Sequence, residues 1–129
     1  MKKLIVMLLL LVSSVAYSQP TKYRTTYIST LTPPSTTYGD WEPCSLLVVH
    51  NNQRVTVYSK ITQTYDILSS SEQYKDENGY DSIDFSAINE DGTKVECNFT
   101  HIVKTDVNEV HLYIKLPTFT VCYSLEDIE

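Results

Sequence analysis

Basic residues are scarce in this chain: ten Lys and Arg stand against sixteen Asp and Glu, for a net charge of −6. That balance argues against nucleic acid and anionic membrane as partners, because both require clustered positive charge. Cysteine is equally sparse. Three cysteines allow at most one internal disulfide, leaving open either three free thiols or a single bond made by Cys44. Only three glycines are present, so each one marks a turn or a close approach more sharply than in an ordinary sequence. Motifs that carry chemistry are missing too. There is no glycine-rich phosphate loop, no nucleophile elbow and no His-Glu-x-x-His, and no helix-period segment of useful length follows the N-terminal region. The reading is therefore of a protein that is not an enzyme, with no cofactor and no resident metal.

One long hydrophobic run exists, at the start. Lys2 and Lys3 precede the apolar stretch Leu4 to Val12, and Ala16-Tyr17-Ser18 forms a small-x-small cleavage site before Gln19. The run falls short of the roughly 18 apolar residues that a membrane span needs. Residues 1–18 thus read as an export signal, with no stable membrane anchor after its removal. The short MKK head and the Gln at the new N-terminus resemble Gram-negative signals, which implies a periplasmic or secreted protein. Loss of Lys2 and Lys3 takes the net charge from −6 to −8.

What is abundant is alternation. Asn89-Glu90-Asp91-Gly92-Thr93 has the composition of a three-residue hairpin loop with Gly in the left-handed position. Closing it sets Ala87 against Val95, Phe85 against Cys97 and Ile83 against Phe99. A second turn, Thr105 to Asn108, closes with Lys104 facing Glu109 and puts Val103, His101, Phe99 and Cys97 opposite Val110, Leu112, Ile114 and Leu116. A corner at Pro117-Thr118 then sets Leu116 against Phe119, Ile114 against Val121, Leu112 against Tyr123 and Val110 against Leu125. One continuous apolar face results, and a slip of one residue would turn a strand's apolar set to water.

Upstream, Asn51-Asn52 reads as a corner that brings Val48 to Val55 and Leu46 to Val57, and Ile61 to Leu68 follows as the next strand. Ser69 to Gly79 reads as a solvated loop, inside a stretch from Glu72 to Asp91 that holds seven acids and one base. The organisation expected is a Thr/Ser/Pro-rich segment over 19–43, in which Tyr23 to Ile28 is able to form an edge strand, followed by a single β domain over 44–129. The fold class is all-β: an antiparallel up-and-down meander of about seven or eight strands forming a small barrel or a two-layer sandwich.

Several residues invite a functional reading. His101 and His111 span one hairpin, but the register points them to opposite faces, so they do not share a metal. The acids from Asp76 to Asp84 fail the calcium-loop spacing, since placing Gly79 sixth puts Phe85 twelfth. Cys97 and Cys122 lie on opposite faces and do not pair. The segment Tyr38-Gly39-Asp40-Trp41 offers an aromatic contact patch, weighed against simple packing of its Trp. Candidate contact residues are Trp41, Tyr58, Glu72, Asp76, Glu77, Tyr80 and Tyr113, which combine an acidic loop with aromatic rings on the outer sheet face. The functional expectation is a non-enzymatic binding or interaction module with a protein or glycan partner. Two other readings are a barrel carrying a small apolar ligand and an inhibitor or immunity-type protein opposing a basic partner.

Overall fold

The structure is a computed structural model and describes residues 21–51 and 53–127, so the expected export signal lies outside the described residues. Ten strands follow one another: β1 Thr21–Leu31, β2 Glu42–Pro43, β3 Leu47–His50, β4 Arg54–Tyr58, β5 Gln63–Ser70, β6 Tyr74–Lys75, β7 Asp81–Asn89, β8 Lys94–Lys104, β9 Val107–Lys115 and β10 Thr120–Asp127. Among the described residues there is no helix. Eight of the strands pair antiparallel around a closed circuit, β10-β9-β8-β7-β5-β4-β3-β1, and β1 then pairs back to β10. The two short strands are additions, β2 on β1 and β6 on β7. The architecture is thus an antiparallel barrel.

Side-chain parity decides what fills it. The expected pairs Ala87–Val95, Phe85–Cys97 and Ile83–Phe99 are present across β7 and β8. The corner at residues 117–118 closes with the Leu116 N–H donating to the Phe119 carbonyl at 2.8 Å, and Val121 meets Ile114 as expected. Inside stand Ile83, Phe85, Phe99, Leu112, Ile114 and Leu125, with Phe85 and Phe99 stacked at 5.5 Å between centroids. Each such side chain removed from water contributes about 2 kcal/mol.

Two hairpins differ from the expected register by two residues. Lys104 pairs with Val107 instead of Glu109, so Phe99 meets Leu112 and Cys97 meets Ile114. The shorter turn brings more of both strands into the ladder and leaves fewer backbone groups to water. Likewise Val48 meets Val57 and His50 meets Val55. The Asn51 side chain accepts from the Gln53 and Arg54 N–H groups at 2.8 and 2.9 Å, so it holds a wider loop than the expected corner. A shift of two preserves which side chains point inward. Val103 and Phe119, both assigned to the apolar face, come out exposed: the shift sets Val103 opposite Asn108 near the strand end, whereas Phe119 lies at a corner whose register is as expected.

Two segments depart further from expectation. Tyr23 to Ile28 lies in β1, which is not an edge: it pairs with β3 through Thr21–Arg24 and with β10 through Tyr23–Leu31. Without it β3 and β10 would both end in unpaired backbone, and closure removes both edges at once. Residues 69–79, expected as a solvated loop, extend β5 to Ser70 and then place Tyr74 and Lys75 opposite Ser82 and Asp81. The turn that returns β6 to β7 repeats the chemistry of the 89–93 turn. Asp76 accepts from the Asn78 and Tyr80 N–H groups and Asn89 from those of Asp91 and Thr93, with Gly79 and Gly92 both at φ 82°.

The candidate interaction face

Alternation along β9, β10 and β1 turns Glu109, His111, Tyr113, Cys122, Ser124 and Ser29 away from the core. Outward residues of a small barrel are normally wet, yet Ser29, Cys122 and Ser124 are only 2, 1 and 4% exposed. The cause is the segment between β1 and β3, which returns across them. Gly39 donates its N–H to the Thr30 carbonyl at 2.9 Å and its own carbonyl accepts from the Ser29 hydroxyl at 2.8 Å. Held there, Tyr38 packs edge-on against Tyr113 at 6.2 Å and Trp41 lies against His111 at 5.4 Å. Small residues on β1 and β10 form the floor over which these rings reach β9.

The rings are anchored on one side and open on the other. Trp41 is 46% exposed and Tyr38 41%, while Tyr27, opposite Ser124 in the β1–β10 ladder, is 48% exposed. Beneath them His111 Nε2 meets Glu109 Oε1 at 2.6 Å, which fixes the imidazole that Trp41 rests on. Burial pushes the Cys122 thiol up to about 12, against an opposing hydrogen bond from Tyr113. It is therefore protonated at neutral pH, which lowers its reactivity. Burial first, then neighbouring Cys122, Tyr38 and Asp76, hold the Tyr113 hydroxyl above its ordinary value.

Beside this face the segment 71–80 covers β7 and β8. Tyr74 donates its hydroxyl to Asp84, Asn98 donates to Asp84 Oδ1 at 2.7 Å, Thr100 donates to Asn98, and Ser82 shares a 2.7 Å bond with Thr100. These polar groups satisfy one another, so the ladder is structural. An open depression of about 270 Å³ lies alongside, lined by Ser69, Ser70, Ser71, Asp84, Phe85, Ser86 and Glu96. No histidine borders it, and Ser69 and Ser86 bond to each other at 2.9 Å.

No protein-family model, curated protein or solved structure matches this chain. What the face can do therefore follows from its own geometry. Of the residues singled out in the sequence, Trp41 and Tyr113 come together on it. Asp76 is close enough for its charge to act on Tyr113, although its carboxylate is occupied in capping the 76–80 turn. Tyr80 is half-buried at the end of that turn, and Glu72 and Glu77 are exposed on the same segment. Tyr58 is not part of the group: it lies on β4 opposite Leu47, away from β9 and β10. Glu109, His111 and Tyr27 belong to the face and were not singled out for it. The outward parity that His111 shares with Tyr113 was the available signal.

The remaining histidines point inward. His101 Nε2 meets Asn108 Oδ1 at 2.6 Å, on the face opposite to His111, as the hairpin register indicated. His50 sits inside with its ring edge against Phe99 at 5.3 Å and neither nitrogen hydrogen-bonded. The three cysteines are free thiols, Cys97 inside and Cys122 outside.

Proposed function

We propose that this protein is an exported, non-enzymatic binding module that engages its partner, protein or glycan, through the outer face of β9, β10 and β1. The observation that supports this reading most is the anchoring of Trp41 and Tyr38, which present open rings while buried neighbours hold them in place. Rigid aromatic groups lose little conformational entropy on binding, and such groups dominate contact surfaces for that reason. Two further features point the same way. The most reactive side chain on this face, Cys122, is held as a neutral thiol. The barrel interior is occupied by Tyr23, Phe85, Phe99 and aliphatic side chains, which favours the outer surface over the lumen as the place of recognition.

A photo-crosslinking amino acid placed at Thr37, beside the open rings, should capture a defined partner in the native envelope or medium. The same group at Tyr58, across the barrel, should not. Capture of one species from both positions, or from position 58 alone, would overturn the assignment of the face.

A further inference from the structure

We infer that β3 is an acid-sensitive section of the barrel wall: on protonation of His50 the end of β3 that carries it leaves the circuit, parting from β1 and β4, while β7 to β10 stay paired. The inference is independent of the binding-face reading above.

Length singles this strand out. β3 has four residues and β4 five, against eight to eleven in every other strand of the circuit. Fewer ladder bonds hold β3, so it opens at less cost than its neighbours. Its two ends are unequal. At the start, the Thr25 hydroxyl holds the Cys44 carbonyl and the Leu46 N–H at 3.0 and 2.8 Å, which fixes that end to β1. At the other end stands His50, buried, with its ring edge against Phe99 and both nitrogens without a hydrogen bond. Tyr23 faces Val48 from β1, so it sits diagonally from His50, and its buried hydroxyl lacks a partner as well. Each such atom is a standing cost that contact with water removes. Release of this end of β3 hydrates all three together.

The surroundings offer a charged imidazole nothing. The inward titratable groups of the barrel include Tyr23 on β1, Tyr65 on β5, Cys97 and His101 on β8 and Tyr123 on β10, while β4 faces inward with Val55 and Val57. Burial holds Tyr23, Tyr65, Cys97 and Tyr123 above their ordinary values and so neutral, and His101 is engaged by Asn108. Two carboxylates lie in the inward register near this end, Asp81 bonded to Lys75 and Asp127 acting on Tyr23. Neither acts on His50, whose pKa burial alone lowers to about 4 from 6.5. Outside, Arg54 is paired with Asp66, and an exposed pair of this kind does little to hold β4 against β5. The released imidazole takes its proton near 6.5 and the buried one near 4, so opening grows as the pH falls through this window. Between pH 7 and pH 5 the open population should rise about twentyfold.

Hydrogen exchange of the full chain, followed by peptide mass spectrometry and divided by the intrinsic chemical rate at each pH, reads this opening directly. Protection of residues 47–50 should fall about twentyfold from pH 7 to pH 5 and change little with dilute urea, as local opening requires. The amides of β8 and β9 should exchange more slowly at both pH values and respond steeply to urea, as global unfolding requires. H50L and H50Q, which cannot take up the proton, should each lose the acid response of residues 47–50; either variant alone suffices for the test. Retention of that response in either one would overturn the inference. So would unchanged protection of residues 47–50 between the two pH values, or a urea slope there equal to that of β8 and β9, since opening would then be global.

Discussion

His50 occupies an unusual position for a titratable side chain. It is 1% exposed, points into the barrel between Thr21 on β1 and Val55 on β4, and has no hydrogen-bond partner at either nitrogen. Burial pushes its pKa down to about 4 from 6.5. Burial alone accounts for this shift, and the inward Tyr23, Tyr65 and Cys97 are themselves held neutral by burial. The unfolded imidazole takes its proton near 6.5 and the folded one near 4, so between these values the unfolded state binds more protons. Stability is then full above about pH 6.5 and falls by about 3 kcal/mol as the pH drops to 4. His50→Leu removes two unsatisfied nitrogens and should raise stability at pH 7 by about 1–3 kcal/mol. Urea unfolding at pH 7 and at pH 4.5 should show its advantage over the parent growing by about 2 kcal/mol at the lower pH. A constant difference would contradict this account. Alternation places His50 on the inward face with Val48; what the two-residue register difference at Asn51 adds is that His50 enters the ladder opposite Val55.

At the level of elements, the turns carry the most information. The 89–93 hairpin was legible because its constraint is local: a glycine at φ 82° and an Asn side chain that accepts from two N–H groups inside the same loop. The 76–80 turn obeys the same rules and was nevertheless read as loop, because its strand, β6, is only two residues long. Gly79→Ala and Gly92→Ala should each cost about 1 kcal/mol in thermal or chemical unfolding. A Cβ at either position meets no atom within 4 Å, so the loss is one of backbone conformation alone and should be similar at both. The segment between β1 and β3 has its own test. Tyr38 lies beside Cys122, and Tyr38→Ala should speed alkylation of Cys122 in the folded protein, read by peptide mass mapping, with Cys97 unaffected inside the barrel. The registers at 51–53 and 105–106 were missed by two because alternation specifies a face and says nothing about displacements that preserve it.

For the whole molecule, closure is the decisive feature. β1 joins the two ends of the sheet, and its buried residue Thr25 ties it to the segment before β3: its hydroxyl donates to the Cys44 carbonyl at 3.0 Å and accepts from the Leu46 N–H at 2.8 Å. Thr25→Val retains the shape and leaves the Leu46 N–H and the Cys44 carbonyl each one partner short, at a cost of about 1–3 kcal/mol by urea titration. A chain starting at residue 32 would expose the β3 and β10 edges together, and it should show no cooperative unfolding transition and a tendency to associate through those edges.

The sequential pairing of β7 to β10, most of their inward side chains and the opposed faces of His101 and His111 were determined by the sequence alone, since each depends on a period of two and on corners a few residues long. The closing of the barrel by β1, the covering of Cys122 and Ser124 by Tyr38 and Trp41, and the isolation of His50 belong to the tertiary structure. They join residues as far apart as Thr26 and Ser124, 98 positions along the chain, and no local rule of alternation or turn chemistry reaches across such a separation.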